Sequence, residues 1–96
     1  MRNRHIVTYD VINDKRRTRV FKILEGYGDH IQYSVFRCDM SPKEKVLLID
    51  AVDKVINHKE DQVILVDLGP AEGRADERVT ALGVPYDHQP VKVVVV

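Results

Sequence analysis

The pattern of apolar and polar residues in the first third of the chain predicts a strand followed by a helix. Residues 5–11 are rich in β-branched and aromatic side chains, with apolar residues on both faces, as expected of a central strand covered by helices. Asp14 is the predicted N-cap of the helix that follows, over residues 15–27. Its apolar residues recur at helical spacing, at Val20, Ile23, Leu24 and Tyr27.

The same pattern predicts a strand, a helix and a strand in the middle of the chain. Residues 30–38 alternate between apolar and polar side chains, which is typical of a strand. Ser41, Pro42 and Glu44 are the N-cap, the first helical residue and the partner in a capping box, so a helix is predicted from here to about residue 57. Its predicted apolar face includes Ile49. A third strand is predicted at residues 62–68, where Gly69 and Pro70 end it.

The order strand, helix, strand, helix, strand fits two architectures. One is a small doubly wound sheet, and the other is the ferredoxin-like βαββαβ sandwich of the α+β class. The sandwich needs two strands between its helices, and residues 31–38 are long enough to bend or to be followed by a short strand near residues 37–40. We therefore predict the ferredoxin-like sandwich.

The C-terminal part of the chain combines a polar segment with a run of valines. Residues 71–83 are polar, with a short helix predicted at residues 76–82, and residues 84–89 are predicted to be a loop. The chain ends in Pro-Val-Lys-Val-Val-Val-Val, an apolar strand that invites pairing with another chain when it is exposed. This strand belongs either to the chain's own sheet or to the sheet of a second subunit. We divide the chain into a domain at residues 1–83 and a β arm at residues 84–96.

The composition is that of a globular domain, and the charge is unevenly distributed along the chain. The chain has 96 residues, 44% of them hydrophobic and 31% charged, which is typical of one globular domain. No apolar run approaches the roughly 20 residues needed to cross a bilayer, and no signal peptide is evident, so we expect a cytoplasmic protein without membrane contact. The net charge is zero, but residues 1–22 hold seven Lys or Arg against two Asp. Such a basic segment is either a solvated helix face or a nucleic-acid footprint.

Asp10 is the strongest candidate for chemistry, at the end of the first predicted strand and next to the basic segment. A carboxylate in this position is suited to a hard cation such as Mg²⁺. Alternatively, Asp10 caps a turn or pairs with Arg16 or Arg17. One carboxylate is too few for a nuclease site, but two Asp10 side chains can converge on the axis of a symmetric dimer.

Other kinds of site are weakly supported. A serine nucleophile at Ser34 is disfavoured. The four histidines are scattered, which argues against zinc. Cys38, the single cysteine, excludes an internal disulfide and is expected to be buried.

Several segments together resemble one family. Val-Thr-Tyr-Asp-Val at 7–11, Asp-Lys-Arg-Arg at 14–17, Leu-Glu-Gly-Tyr-Gly at 24–28, Gln-Tyr-Ser-Val-Phe at 32–36 and Asp-Leu-Gly-Pro at 67–70 occur in this order. In this combination the chain resembles the Cas-two family of CRISPR-associated proteins, the small subunit of the spacer-acquisition machinery. Arg-Cys-Asp at 37–39 departs from the family, which often has Glu-Gly or Glu-Cys there. The departure removes one possible carboxylate near Phe36.

The resemblance implies both a fold and a site. It implies a ferredoxin-like fold and a symmetric homodimer in which each C-terminal strand joins the partner's sheet. It implies metal-dependent cleavage of RNA or DNA, with Mg²⁺ at the position of Asp10. It assigns phosphate binding to the basic cluster of Arg16, Arg17 and Arg19. Further recurrent family positions, expected to support the site, are Tyr9, Ser34 and Phe36.

The resemblance also implies a partner, the adaptation integrase called Cas-one, which the dimer bridges while it holds duplex protospacer DNA. Two functions therefore stay open. The first is a Mg²⁺-dependent phosphodiesterase, and the second is a non-catalytic bridge that holds nucleic acid and spaces two integrase subunits.

Overall fold

The hydrophobic pattern folds into one sheet with two helices. The computed structural model describes residues 1–86. The elements in chain order are strand β1 (Asn3–Asp10), helix α1 (Asp14–Glu25), strand β2 (Gly28–Gln32), strand β3 (Val35–Met40), helix α2 (Pro42–Asp53), strand β4 (Gln62–Pro70) and a short 3-10 helix at Ala75–Arg78. No helix within residues 1–86 is long and apolar enough to span a membrane.

The sheet topology confirms the predicted ferredoxin-like fold. The strand order is β2-β3-β1-β4, and every neighbouring pair is antiparallel. A helix follows β1 and another follows β3, which gives the βαββαβ order. The long central strand β1 pairs along nearly its whole length with β3 and with β4. The end of β1 is therefore held from both sides.

The core lies between one face of the sheet and the two helices. We call this the inner face and the opposite side of the sheet the outer face. Alternate residues of the central strands point inward and pack against both helices, because side chains alternate between faces along a strand. The buried apolar residues of this layer are Val7, Tyr9, Phe36, Cys38, Met40, Val20, Leu24, Leu48 and Val52. The helices cover the inner face only, so the prediction that β1 is covered by helices on both faces is wrong.

The hairpin between the helices is the main difference from the predicted elements. The predicted strand at residues 30–38 is two strands, β2 and β3, joined by a turn at Tyr33 and Ser34. Thus β3 begins at Val35, earlier than the predicted residue 37. Close packing marks the start of β2, where a Cβ on Gly28 would lie 2.7 Å from the Cys38 sulfur, so only glycine fits.

The helix boundaries also differ in detail. Asn13, not Asp14, caps α1, and its side chain accepts a hydrogen bond from the Arg16 amide. The capping box of α2 is confirmed: the Ser41 hydroxyl accepts from the Glu44 amide, and the Glu44 carboxylate accepts from the Ser41 amide. However, α2 ends at Asp53 instead of residue 57, and Ile49 is exposed rather than part of the buried face.

The segment after β4 is mostly irregular. The helix predicted at residues 76–82 is a single 3-10 turn at Ala75–Arg78, in which Ala75 is buried. The predicted β strand at residues 90–96 lies outside the described residues, and most of the predicted arm lies there with it.

Candidate nucleic-acid and metal site

The candidate site begins with Asp10, the last residue of β1. Asp10 lies opposite Gln62 of β4 and is exposed. Within residues 1–86, its carboxylate makes no hydrogen bond or ion pair. Asn13 caps α1, and the charged partners of Arg16 and Arg17 are other carboxylates. The alternative of a capping or pairing role for Asp10 is therefore not what the structure shows, and the carboxylate is left accessible to a ligand.

Tyr9 and Phe36 stand on the inner face and are part of the core. Tyr9 is 6% exposed and Phe36 is fully buried, and their ring centroids lie 6.3 Å apart. The Tyr9 hydroxyl donates a hydrogen bond to the Tyr33 carbonyl oxygen over 3.4 Å, and burial raises the pKa of Tyr9. Because adjacent strand residues point to opposite faces, Tyr9 supports the end of β1 from the side away from Asp10.

Ser34 lies in the turn between β2 and β3. Its carbonyl oxygen accepts a hydrogen bond from the Tyr9 amide over 3.0 Å, which extends the pairing of β1 with β3 beyond Thr8 and Val35. Ser34 thus contributes a backbone contact that fixes the β2–β3 turn next to the end of β1. Of the predicted supporting residues, all three surround this strand end, and the contacts seen for them are structural.

Arg16 is tied to acidic residues that lie far away in sequence. Its Nε donates to Asp61 Oδ2 over 2.7 Å, and its Nη2 lies 3.2 Å from Asp61 Oδ1 and 3.1 Å from Glu60 Oε1. The Asp61 side chain is fully buried and also accepts a hydrogen bond from the Asn57 amide. The hydrogen bonds from Arg16 and Asn57 lower the pKa of Asp61, and the bond to Asp61 raises the pKa of Arg16. Arg16 therefore fastens α1 to the loop before β4.

Arg17 and Arg19 differ in whether their guanidinium groups have partners within residues 1–86. Arg17 donates to the carbonyl oxygens of Val11 and Ile12, each over 3.1 Å, and pairs with Asp14. These contacts brace the loop between β1 and α1 directly behind Asp10. Arg19 is exposed, and its guanidinium has no hydrogen-bond or ion-pair partner in residues 1–86. Of the three predicted phosphate-binding arginines, Arg19 is the one without a charged partner in residues 1–86.

The chemistry at Asp10 fits one ligand of a hard cation but not a complete site. A carboxylate oxygen is a ligand that Mg²⁺ prefers, and the accessible Asp10 side chain supplies one. Among the described residues, no group of three or more His, Cys, Asp or Glu side chains is arranged to hold a metal ion. A Mg²⁺ ion at Asp10 would therefore need ligands from water, from the substrate or from a second subunit.

The outer face of the sheet has an open apolar half on the same side as Asp10. Ile6 lies opposite Val66, and Thr8 lies opposite Ile64 and Val35. We call these five residues the outer apolar patch. Ile64 and Val66, both on β4, are each 45% exposed, so this strand presents two large apolar side chains on the outer face. This patch was not predicted, although the alternation of Ile64 and Val66 with their neighbours in the third predicted strand was visible in the sequence.

The other half of the outer face is covered and charged. Arg4 pairs with Asp39 of β3 and with Asp76 from the segment after β4. Arg37 is only 3% exposed and pairs with Asp29 of β2. Arg4 and Asp76 lie 72 residues apart in the sequence, so a local residue pattern cannot predict that they pair. Within residues 1–86, the apolar half of the outer face is therefore the half that is left open.

Comparisons with known proteins agree with the fold and with the motifs. The family model described as CRISPR associated protein Cas2 matches residues 3–74. A CRISPR-associated endoribonuclease Cas2 of Geobacter sulfurreducens is 37% identical over 87 residues, which cover 91% of this chain and 90% of the relative. The crystal structure of Streptococcus pyogenes Cas2 at pH 6.5 superposes with a TM-score of 0.72 and 33% identity, covering 83% of this chain and 99% of that one.

A chain in a solved partial Cas6-RT-Cas1–Cas2 complex has the same fold, with a TM-score of 0.69, 23% identity, and coverage of 83% of this chain and 90% of that one. The family match spans three-quarters of the sequence and includes both Asp10 and the basic helix. The chain belongs to the Cas2 family of CRISPR-associated proteins.

Proposed function

We propose that the protein is a homodimeric, Mg²⁺-dependent nuclease of the CRISPR system that cleaves phosphodiester bonds in RNA, in DNA or in both. The observation that carries the proposal is the exposed Asp10 carboxylate, which has no partner in residues 1–86, at the end of a strand held rigidly on both sides. Relatives such as the Geobacter sulfurreducens protein are named endoribonucleases, which supports RNA as the substrate class.

In the proposed site, each residue has a distinct task. The two Asp10 carboxylates of a dimer would hold the cation, which would supply an activated water and charge stabilisation at the phosphate. Arg19 attracts and neutralises a flanking phosphate, because its charge is unmatched within the described chain. Arg17 holds the loop behind Asp10, and Tyr9 and Ser34 hold the strand end, so these residues position the carboxylate.

Substitution of Asp10 tests the catalytic proposal. We expect Asp10→Asn to abolish Mg²⁺-dependent cleavage of a labelled single-stranded RNA by the purified dimer, because the amide no longer supplies a charged ligand. Glu72→Gln is the matched control, since Glu72 is an exposed carboxylate without a partner in residues 1–86. Undiminished cleavage by Asp10→Asn would exclude the proposed site.

The proposed dimer uses the outer apolar patch, and the predicted β arm adds a second contact. Two copies that pack by this patch exclude Ile64 and Val66 from water, and both Asp10 residues lie on the packed side. We expect Val66→Glu to shift the protein to monomer in equilibrium sedimentation. Val46→Glu, at an exposed position of α2, should remain dimeric. Deletion of residues 91–96 should weaken the dimer if the arm adds to the partner's sheet, and a truncated chain that stays a tight dimer would refute the strand addition.

A second function deserves a test because the described chain is chemically sparse. No group of three or more His, Cys, Asp or Glu side chains in residues 1–86 is arranged to hold a metal ion, and a non-catalytic bridge needs none. In this role the dimer holds duplex DNA by phosphate contacts and spaces two Cas1 integrase subunits, as the family resemblance implies. Spacer acquisition that is intact with Asp10→Asn, while cleavage is lost, would favour the bridge. Loss of acquisition with normal DNA binding would argue against it.

A further inference from the structure

A cavity of about 330 Å³ lies where β1 and α2 begin, at the opposite end of β1 from Asp10. Small-molecule sites usually have volumes of about 300–1,000 Å³, so this cavity suits a ligand as small as a single nucleobase or nucleoside. The apolar part of its wall includes Met40 and Pro42, and the polar part includes His5, Lys45 and Asp67. None of these residues belongs to the site at Asp10, so the cavity needs an account of its own.

His5 and Asp67 bring two hydrogen-bond acceptors side by side in the wall of this cavity. They are directly opposite in the pairing of β1 with β4, and His5 is only 2% exposed. His5 Nδ1 lies 3.2 Å from the Asn3 carbonyl oxygen, which can only accept, so in the uncharged ring Nδ1 carries the proton and Nε2 is an acceptor. Nε2 is buried without a hydrogen-bond partner in residues 1–86, and it lies 3.8 Å from Asp67 Oδ2, too far for a hydrogen bond. A buried acceptor without a donor is costly, so this pair favours a ligand that supplies N–H groups.

Asp67 and Lys45 define the polarity of that ligand. Asp67 is fixed by the Gly69 amide, which donates to Oδ1 over 2.7 Å, and by Asn3 Nδ2, which lies 3.1 Å from Oδ2. These hydrogen bonds lower the pKa of Asp67, so the carboxylate is charged at neutral pH, and Oδ2 keeps a free lone pair. Lys45 makes no hydrogen bond or ion pair in residues 1–86, so its ammonium group is a free donor. The cavity therefore presents two acceptors and one cationic donor beside an apolar wall.

Guanine has the matching arrangement of donors and acceptors. Its Watson–Crick edge carries N–H donors on two adjacent atoms, N1 and N2, beside the acceptor O6, whereas the same edges of adenine, cytosine and uracil carry donors on one atom only. We propose that this cavity binds a guanine base, with its N–H groups towards Asp67 and His5, its O6 towards Lys45 and its ring against the apolar wall. The base comes either from a free nucleoside or nucleotide or from an unpaired guanine of a strand. This inference does not depend on the nuclease proposal, because it involves neither Asp10 nor a phosphate.

Nucleosides test the site, because they carry no phosphate that the basic helix could bind. Dissociation constants are measured by NMR titration of the isotope-labelled full-length protein with guanosine, inosine and adenosine. We expect saturable binding of guanosine and roughly 10-fold or weaker binding of adenosine and of inosine, which lacks the 2-amino group. Lys45→Met and Asp67→Asn should each weaken guanosine binding roughly 10-fold. Lys43→Met is the matched control on the exposed side of α2 and should bind guanosine like the wild type.

Three results would overturn the inference. They are no saturable binding of guanosine, equal affinity for the three nucleosides, and wild-type guanosine binding by both cavity variants. Asp67 also holds Asn3 and Gly69, so the urea midpoint of Asp67→Asn is measured alongside, and Lys45→Met carries the test if that variant unfolds. A single-stranded RNA with one guanine separates the two sources: displacement of guanosine, absent with an adenine in its place, supports a strand, and no displacement supports the free nucleoside. Binding is measured without cleavage, so the nuclease proposal is tested separately by Asp10→Asn.

Discussion

Arg37 carries a buried charge on the outer face, and Tyr86 closes over it. Its Nη1 donates to the Tyr86 hydroxyl over 3.0 Å, and its Cζ lies 5.4 Å from the centroid of that ring. The Tyr86 hydroxyl donates in turn to Asp76 Oδ1 over 3.2 Å. Burial alone would lower the pKa of Arg37, but the hydrogen bonds with Tyr86 and Asp29 raise it above its ordinary value. Tyr86 therefore anchors the start of the predicted arm to the sheet.

Two substitutions at this position separate the hydroxyl from the ring. Tyr86→Phe keeps the ring over the guanidinium and removes the hydroxyl. A hydrogen bond to a charged group contributes about 1.5–3 kcal/mol, and water can partly replace it, so we expect the free energy of unfolding to fall by about 1–2 kcal/mol. Tyr86→Ala also removes the cation–π contact, worth about 0.5–2 kcal/mol, so we expect a total loss of about 1.5–4 kcal/mol. Against a domain stability of about 5–15 kcal/mol, either loss is measurable.

Urea unfolding followed by circular dichroism measures both losses. The experiment is run at two protein concentrations, because a change in dimerisation makes apparent stability depend on concentration. Tyr33→Phe is the matched control, since it removes a hydroxyl from an exposed tyrosine, and it should unfold like the wild type. Equal stability of the Phe and Ala variants would refute the cation–π contribution, and wild-type stability of both would refute the anchor altogether.

The remaining predictions concern charge and burial elsewhere in the chain. Arg19→Ala should reduce the slope of log affinity for nucleic acid against log salt concentration by roughly one unit, and its urea unfolding midpoint should not change. Arg16→Ala should lower the urea unfolding midpoint, because it leaves the Asp61 carboxylate buried without its cation. Burial raises the pKa of Cys38 to about 12, so a thiol reagent at pH 8 should label the protein only after unfolding. The hydrogen bond from Arg2, with that from the Ser41 amide, lowers the pKa of Glu44 from 4.5 to about 2. The stability difference between wild type and Glu44→Gln should thus be full above pH 4.5 and disappear as the pH falls towards 2.

The fold was largely predictable because local signals agreed with the tertiary structure. The capping box at Ser41 and the apolar periodicity of both helices are short-range features, and the structure has them where the pattern placed them. The hairpin was harder to locate because its turn carries none of the usual glycine, proline, asparagine or aspartate residues. Tyr33 and Ser34 are both compatible with a strand, so residues 30–38 gave the pattern of one long strand where the structure has two.

The site was predictable in part, and distance along the chain explains the rest. Asp10 is at the strand end as predicted, because strand ends are marked by local sequence. The contacts of Arg16 were not predictable, since Asp61 lies 45 residues away and only the folded chain brings the two together. The basic residues of α1 thus include Arg16, which forms a structural ion pair, and Arg19, which has no partner in residues 1–86. The sequence alone does not distinguish the two arginines.

The outer face of the sheet has an open apolar half and a covered charged half, and this difference bears on the choice between the nuclease and the bridge. Helices cover only the inner face, so the outer apolar patch needs a cover that residues 1–86 do not supply. Asp10 belongs to the same face, at the end of the same strand as Ile6 and Thr8. A two-fold dimer packed through this patch brings two carboxylates to one axis and makes a shared metal site possible. A dimer that keeps the two Asp10 residues apart leaves each carboxylate as a single cation ligand and forms no shared metal site. The separation of the two Asp10 carboxylates in the dimer therefore decides between the nuclease and the bridge.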